Sequence, residues 1–284
     1  MLFVPGDRPE RFQKAVDSGA DAVIFDLEDA VAAEHRGSAR QNIRRYLEGA
    51  ATRAVPLWVR INPIDTEDAL ADVAAVVAAR PDGLVLPKAQ RGADVERLDH
   101  WLEIEEAREG LPAGSIKVIP MITESAAALL AMSSFAQLPA RVVAVTWGAE
   151  DLATDLGALA NRDAAGRYEP PYVWASSLCL TVAAAAGVLA IDTVDTEIRD
   201  VAAVESRARE SRRSGYLGKL VIHPAQIAAV HAAFTPSAIE IEEAERIVSA
   251  FASAAGSGAL RLDGKLYDRP HLIKAERILA AAGR

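Results

Sequence analysis

Ionisable residues recur just past short apolar runs along this chain. Pro5-Gly6-Asp7 follows the first run, Asp26-Leu27-Glu28-Asp29 the second, and Arg60-Ile61-Asn62 ends the third. Pro87-Lys88, Thr123-Glu124-Ser125, Gly148-Ala149-Glu150-Asp151, Asp192-Thr193 and His223-Pro224 close the next five. Glu124 and Asp151 are hard oxygen donors placed after consecutive runs. If those runs are neighbouring strands, roughly 5 Å apart, both carboxylates reach one point. Such a pair suits Mg²⁺, which keeps waters and takes its remaining ligands from substrate. Each acid also stands where it would favour the N-terminus of a following helix, by about 0.3–1 kcal/mol, so capping explains the same spacing.

Asp26, Glu28 and Asp29 place three carboxylates within four residues, which calls for a cation, an arginine or a shared proton. They fit hydrogen bonding to metal-bound water, or a solvated loop with a helix cap at Asp29. Arg60 lies in the run Leu57–Ile61 and is expected to point into the same mouth. There an arginine binds carboxylate or steadies an oxyanion with its bidentate fork. An ion pair with Asp26 or Glu28 is the structural alternative, and the two roles are compatible. Pro87 and Lys88 stand on the substrate side of the same rim. Lys88 and Lys219 have Schiff-base positions, but the carboxylates around them argue for protonated lysines. The histidines His35, His100, His223, His231 and His271 show no zinc spacing, and only His223 falls at a run end. No G-x-S-x-G occurs, and Cys179 has apolar neighbours, so covalent nucleophilic catalysis finds little support.

The elements that must position these residues are eight apolar runs. They are Leu2–Val4, Ala22–Phe25, Leu57–Ile61, Leu84–Leu86, Lys117–Ile122, Val142–Trp147, Val188–Ile191 and Leu220–Ile222. They read as strands buried on both faces. Segments of helical period lie between them, such as Arg36–Leu47, Glu67–Ala79, Ala93–Arg108, Ser125–Phe135, Tyr172–Ala186 and Glu197–Arg213. Eight alternations predict an α/β fold, a closed (β/α)8 TIM barrel with its chemistry at the C-terminal strand ends. An open doubly wound sheet is the alternative, but Pro5-Gly6-Asp7-Arg8-Pro9 is no dinucleotide-binding turn.

Beyond Ile222 the pattern predicts a helix over 236–252, the small stretch 253–258, a short piece Ala259–Leu262, a turn at Asp263-Gly264 and a helix over 270–282. The expected domains are therefore a barrel over 1–233 and a short helical C-terminal extension over 234–284. The extension is too small for an independent core and is expected to pack on the barrel or a neighbouring subunit. A net charge of -9 gives no pull toward nucleic acid or anionic lipid. The single cysteine fits a reducing cytoplasm. No run approaches the roughly 20 apolar residues of a membrane span, and Asp7 precedes any long apolar run, as in a chain without a signal peptide. The expectation is a cytoplasmic protein without membrane partners.

The blocks LFVPGDRPERFQKA, IFDLEDAV, WVRIN, GLVLPKA, PMITESA, WGAEDLATDLGA, AIDTV, GKLVIHPAQI and DGKLYDRP follow one another along almost the whole chain. In that order they resemble the citrate lyase β-subunit-like family of acyl-CoA lyases within the HpcH/HpaI aldolase superfamily. Malyl-CoA and citramalyl-CoA lyases are relatives. The resemblance implies a barrel that uses Mg²⁺ to cleave a 3-hydroxyacyl-CoA thioester, in retro-Claisen fashion, into an acyl-CoA and a 2-oxo acid. Glu124 and Asp151 match the metal-holding positions, and Arg60 matches the arginine that contacts substrate near the thioester carbonyl. Asp26 and Glu28 match the acidic cluster around metal-bound water. Asp268 matches a catalytic acid/base carried over the neighbouring protomer's site, typically in a homotrimer or dimer of trimers. Read without the family, Asp268 caps the helix near Pro270. A citrate lyase β subunit acting on an acyl-carrier-protein thioester and a metal-dependent aldolase for free 2-oxo acids are the alternatives. A barrel retained only as a scaffold fits poorly with an intact Arg60, Glu124 and Asp151.

Overall fold

Short runs of branched and aromatic residues form the strands, as side chains that pack on a pleated surface do. The computed structural model describes residues 1–50, 53–254 and 258–283. Its first five strands are β1 (Leu2–Pro5), β2 (Val23–Asp26), β3 (Leu57–Arg60), β4 (Gly83–Leu86) and β5 (Lys117–Pro120), paired in parallel in chain order. A second parallel sheet orders β6 (Ala144–Thr146), β7 (Leu189–Asp192) and β8 (Gly218–Lys219). Single parallel bridges join the two sheets at both seams. Val118 pairs with Val142 and Met121 with Thr146 on one side, and Leu2 pairs with Val221 on the other. The Phe3 amide donates to Val221 O at 2.9 Å, and the Val221 amide to Met1 O at 2.9 Å.

Helices connect the strands. They are α1 (Phe12–Val16), α2 (Arg36–Gly49), α3 (Glu67–Val76), α4 (Gly92–Arg108) and α5 (Ala126–Leu130). After them come α6 (Ala149–Asp155), α7 (Pro170–Ala186), α8 (Val201–Ser214) and α9 (Ile227–Phe234). Every residue of β2 and β4 is buried, as the continuous apolar runs predict. Alternate residues Ile24, Trp58, Val85 and Ile119 meet Met121, Ala144 and Leu220 in one cluster. Gly83 makes room for it, since a Cβ there would lie 2.2 Å from the Trp58 ring. No helix among the described residues is long and apolar enough to cross a membrane.

Three expected elements differ. The eighth strand begins at Gly218 rather than Leu220, because Lys219 is buried and paired with Asp192. The helix expected from Glu197 starts at Val201, where Asp200 Oδ1 accepts from the Ala203 amide and caps it. The helix expected over 125–135 breaks after Leu130 into a 3₁₀ turn.

The chain divides into two compact units, Met1–Val230 and His231–Arg284. The second holds α10 (Ala238–Ser253) and α11 (Arg269–Ala281), and its extension is not purely helical. β9 (Ala259–Leu262) and β10 (Lys265–Asp268) form an antiparallel hairpin. Its Asp263-Gly264 turn has φ of 50° and 77°, a pair that Asp-Gly supplies readily. Ala244, Ile247 and Ala275 centre the small core of this unit, with Phe251, Leu262 and Tyr267 packed on them. Within the expected small stretch, Ala255, Gly256 and Ser257 lie outside the described residues.

Candidate active site

The parallel register of β2 and β3 sets Asp26 opposite Arg60, each the last residue of its strand. Arg60 Nε donates to Asp26 Oδ1 and Nη2 to Oδ2, both at 2.6 Å. Nη1 lies 2.9 Å from Glu28 Oε2. The amides of Glu28 and Ala30 donate to Asp26 at 3.0 and 3.1 Å, which fixes the carboxylate. Burial opposes the Arg60 charge, but Asp26 and Glu28 more than offset it and push the guanidinium pKa up. The ion-pair reading of Arg60 is therefore realised. Arg60 nevertheless keeps a face on the cavity described below.

Lys88 gathers the acids across the mouth. Its Nζ lies 2.5 Å from Glu28 Oε1 and 3.1 Å from both Asp29 Oδ1 and Asp151 Oδ1. Burial works against the ammonium, and Glu28 and Asp151 outweigh it, so its pKa is raised. Burial also dominates at Glu28 and pushes its carboxyl up to about 7 against the pull of Arg60 and Lys88. The Lys88 backbone, at φ 53°, turns its amide onto Glu124 Oε2 at 2.5 Å. Pro87, just before it, is buried.

Glu124 does not cap a helix. Ser125 does, its Oγ accepting from the Ala128 amide at 3.1 Å. Burial, then the charge of Asp151, pushes the Glu124 carboxyl up to about 8. Asp151 stands in the first turn of α6. Gly148 opens that helix and leaves room for Glu124, because a Cβ there would lie 2.7 Å from both Cγ and Oε1. Among the described residues no hydrogen bond reaches Glu124 Oε1, and the one ion pair of Asp151 is that of Oδ1 with Lys88. Two neighbouring, partly desolvated carboxylates fit a hard divalent cation, which would share Asp151 with the Lys88 ammonium. No cluster of three or more His, Cys, Asp or Glu suited to a metal occurs among the described residues, so water and substrate would complete the shell.

Asp26, Arg60, Glu124 and Asp151 line one cavity of about 300 Å³, whose other wall is Phe3, Met121, Val194 and Ile222. His223 is a cap instead, its Nδ1 accepting from the Ala225 amide at 3.1 Å. Lys219 donates to Asp192 Oδ2 at 2.5 Å and to Thr193 O at 2.8 Å, in a buried pair. Cys179 is fully buried, which pushes its thiol pKa up and withholds a nucleophile. In the second unit, Asp268 is the residue before α11, half exposed, with Oδ1 2.5 Å from His271 Nδ1. Sequence reasoning missed two features, the Gly148 clearance and the Lys88 amide. A glycine two residues before a pair of acids after a strand was the available signal for the first.

Residues 1–224 match the family model for HpcH/HpaI aldolase/citrate lyase. The chain belongs to that family. The resemblance read from the sequence blocks holds. A (3S)-malyl-CoA thioesterase of Cereibacter sphaeroides is 34% identical over 99% of this chain and 93% of its own length. Citrate lyase subunit beta of Leuconostoc mesenteroides is 32% identical over 99% of this chain and 92% of its own. The CitE protein of Mycobacterium tuberculosis, solved with magnesium, acetoacetate and coenzyme A, superposes with a TM-score of 0.82. It is 33% identical, and the match covers 100% of this chain and 97% of that one. Members of the HpcH/HpaI aldolase/citrate lyase family are enzymes, and magnesium is present in that relative, as the sequence reading expected.

Proposed function

We propose that this protein is a Mg²⁺-dependent carbon–carbon lyase that cleaves, or forms, a 3-hydroxyacyl-CoA thioester such as malyl-CoA or citramalyl-CoA. The observation that carries the reading is the single cavity shared by the clamped Arg60 and the paired acids Glu124 and Asp151. Its scaffold would be one (β/α)8 barrel over 1–233, with the bridges at Val118, Met121 and Leu2 closing the two sheets. The extension over 234–284 would dock on a neighbouring subunit.

Glu124 and Asp151 would hold the metal, which when bound supplies positive charge where the substrate's hydroxyl and carboxylate oxygens bind. Cleavage breaks the bond between the thioester's α-carbon and the hydroxyl-bearing carbon. The hydroxyl loses its proton as that carbon becomes the carbonyl of the 2-oxo acid, and the α-carbon gains one. Arg60 supports the thioester oxygen while negative charge develops there, through N–H groups that Asp26 and Glu28 hold in place. Lys88 holds Glu28 and Asp151 on the rim, with Pro87 shaping its turn. Asp268 of a neighbouring copy, in a homotrimer or dimer of trimers, is the proposed donor to the α-carbon.

The near-equal likeness to citrate lyase subunit beta favours a second reading, in which the thioester is carried by an acyl-carrier protein. Purified protein incubated with malyl-CoA, citramalyl-CoA, citryl-CoA and free hydroxy acids, with Mg²⁺ or chelator, separates these by mass spectrometry. Acetyl-CoA plus a 2-oxo acid supports the lyase. Turnover only of the carrier-bound thioester supports the subunit. Free malate with no 2-oxo acid supports hydrolysis, and turnover undiminished in chelator sinks the metal.

A further inference from the structure

Lys88 makes two kinds of contact with the same group of acids, and they act in opposite directions on a cation. Its backbone amide, set by a φ of 53°, fixes Glu124 at 2.5 Å and so preorganises one carboxylate of the cavity. Its ammonium lies 3.1 Å from Asp151 Oδ1, the other one. The same ammonium is tethered by Glu28 at 2.5 Å and Asp29 at 3.1 Å. An ammonium held by three carboxylates does not swing freely away. It is a fixed positive charge against an acid that a divalent cation would also use.

We propose that Lys88 is a tethered counter-cation that weakens divalent-metal binding at Glu124 and Asp151 and thereby makes that binding depend on an anionic substrate. This rests on the assignment of those two acids as metal ligands. Two cations that share one carboxylate repel strongly enough to cost about tenfold in affinity even at the dielectric of water. A 2-oxo acid brings its own carboxylate to the metal and offsets that repulsion. Metal and oxo acid therefore bind better together than separately, and by linkage each strengthens the other equally. The consequence is a site that takes up its metal with substrate. The charge of Arg60 also reaches Glu124, but its ion pairs among the described residues are with Asp26, Glu28 and Asp29, so Lys88 is the cation in contact with Asp151.

Calorimetric titration of Mg²⁺ and Mn²⁺ into the full-length protein, with and without pyruvate, tests this. Lys88→Met and Lys88→Gln should bind the metal alone about tenfold more tightly than wild type, whereas Lys88→Arg should stay within about threefold. Pyruvate should raise wild-type metal affinity more than that of Lys88→Met. Neutral variants that bind metal no more tightly than wild type overturn the proposal, and an equal pyruvate effect overturns the coupling. Should neither neutral variant fold, the ammonium NMR signal of Lys88 in wild type decides. It should shift as Mg²⁺ is added, and an unmoved signal at saturation overturns the proposal. Asp151→Asn separates this from the underlying assignment. If it binds metal as wild type does, the ligand assignment fails. If it loses binding while Lys88→Met gains none, only the counter-cation role fails.

Discussion

Asp26 and Arg60 stand at one register level on neighbouring parallel strands and meet edge to edge, Nε on Oδ1 and Nη2 on Oδ2, both at 2.6 Å. The pair is almost wholly removed from solvent, so the geometry rather than bulk electrostatics gives it value. A planar fork gripped along one edge presents its remaining N–H groups in a fixed direction. Nη1 lies 2.9 Å from Glu28 Oε2, and Arg60 also lines the cavity.

Arg60→Lys keeps the charge and loses the fork. The expected cost in the barrier is about 2–4 kcal/mol, as for loss of one oxyanion donor. Steady-state kinetics on the thioester that proves active reads it as a fall in kcat with little change in metal affinity. A variant with near-wild-type kcat would reduce Arg60 to an ion-pair partner of Asp26.

Gly148→Ala is expected to harm the metal site more than the fold. The new Cβ meets Glu124 at Cγ and Oε1, both at 2.7 Å, and a side chain yields more easily than a backbone. Divalent-metal affinity should fall about tenfold or more, or about 1.4 kcal/mol, with the far-UV spectrum unchanged. Glu124→Gln should lose binding as well. Unchanged metal affinity in both would remove Glu124 from the metal site.

Much of this site was legible because strand ends in a parallel α/β sheet can be read from where apolar runs stop. Asp26, Arg60, Glu124 and Asp151 were all found that way, and all four line one cavity. The choice between helix cap and site acid was not legible at Glu124, since capping depends on which of two adjacent side chains turns back, and Ser125 does. The eighth strand was displaced because the charge of Lys219 keeps it out of the apolar run, whereas Asp192, 27 residues earlier, pairs with it and is buried beside it. The β9–β10 hairpin was missed because Lys265–Asp268 is too polar to read as a strand. Its pairing to Ala259–Leu262 gives it that form.

Proton linkage gives a pH test. Glu124 is pushed up to about 8 and Glu28 up to about 7, chiefly by burial, against an ordinary carboxyl near 4.3–4.5. Between the ordinary value and the raised one, the folded state holds more protons than the unfolded state. Without metal, these two groups therefore make the fold less stable as pH rises from about 5 to about 8. A divalent cation displaces the proton, so its affinity should increase over the same range. Calorimetry in two buffers of different ionisation enthalpy should detect proton release on Mg²⁺ binding near pH 7. No release would mean that Glu124 and Glu28 are already ionised there.

The last prediction concerns Asp268. In its own unit it sits at the start of α11 beside His271, which is a cap's position and also leaves it half exposed. The acids that would hold the metal cannot also protonate the α-carbon, so a separate donor is needed. If Asp268 supplies it to a neighbouring copy, Asp268→Asn and Glu124→Ala proteins should each be inactive, while subunit-exchanged mixtures regain activity. In the mixture some sites combine an intact Glu124 from one chain with an intact Asp268 from another. Random mixing of equal amounts leaves about one site in four with both residues intact, so recovery should approach a quarter of wild-type activity. Thermal melts separate the capping role, because Asn caps as well as Asp and should leave the melt unchanged, whereas Asp268→Ala should cost about 1 kcal/mol. If exchange is verified by mass spectrometry and no activity returns, Asp268 acts within its own subunit or only as a cap.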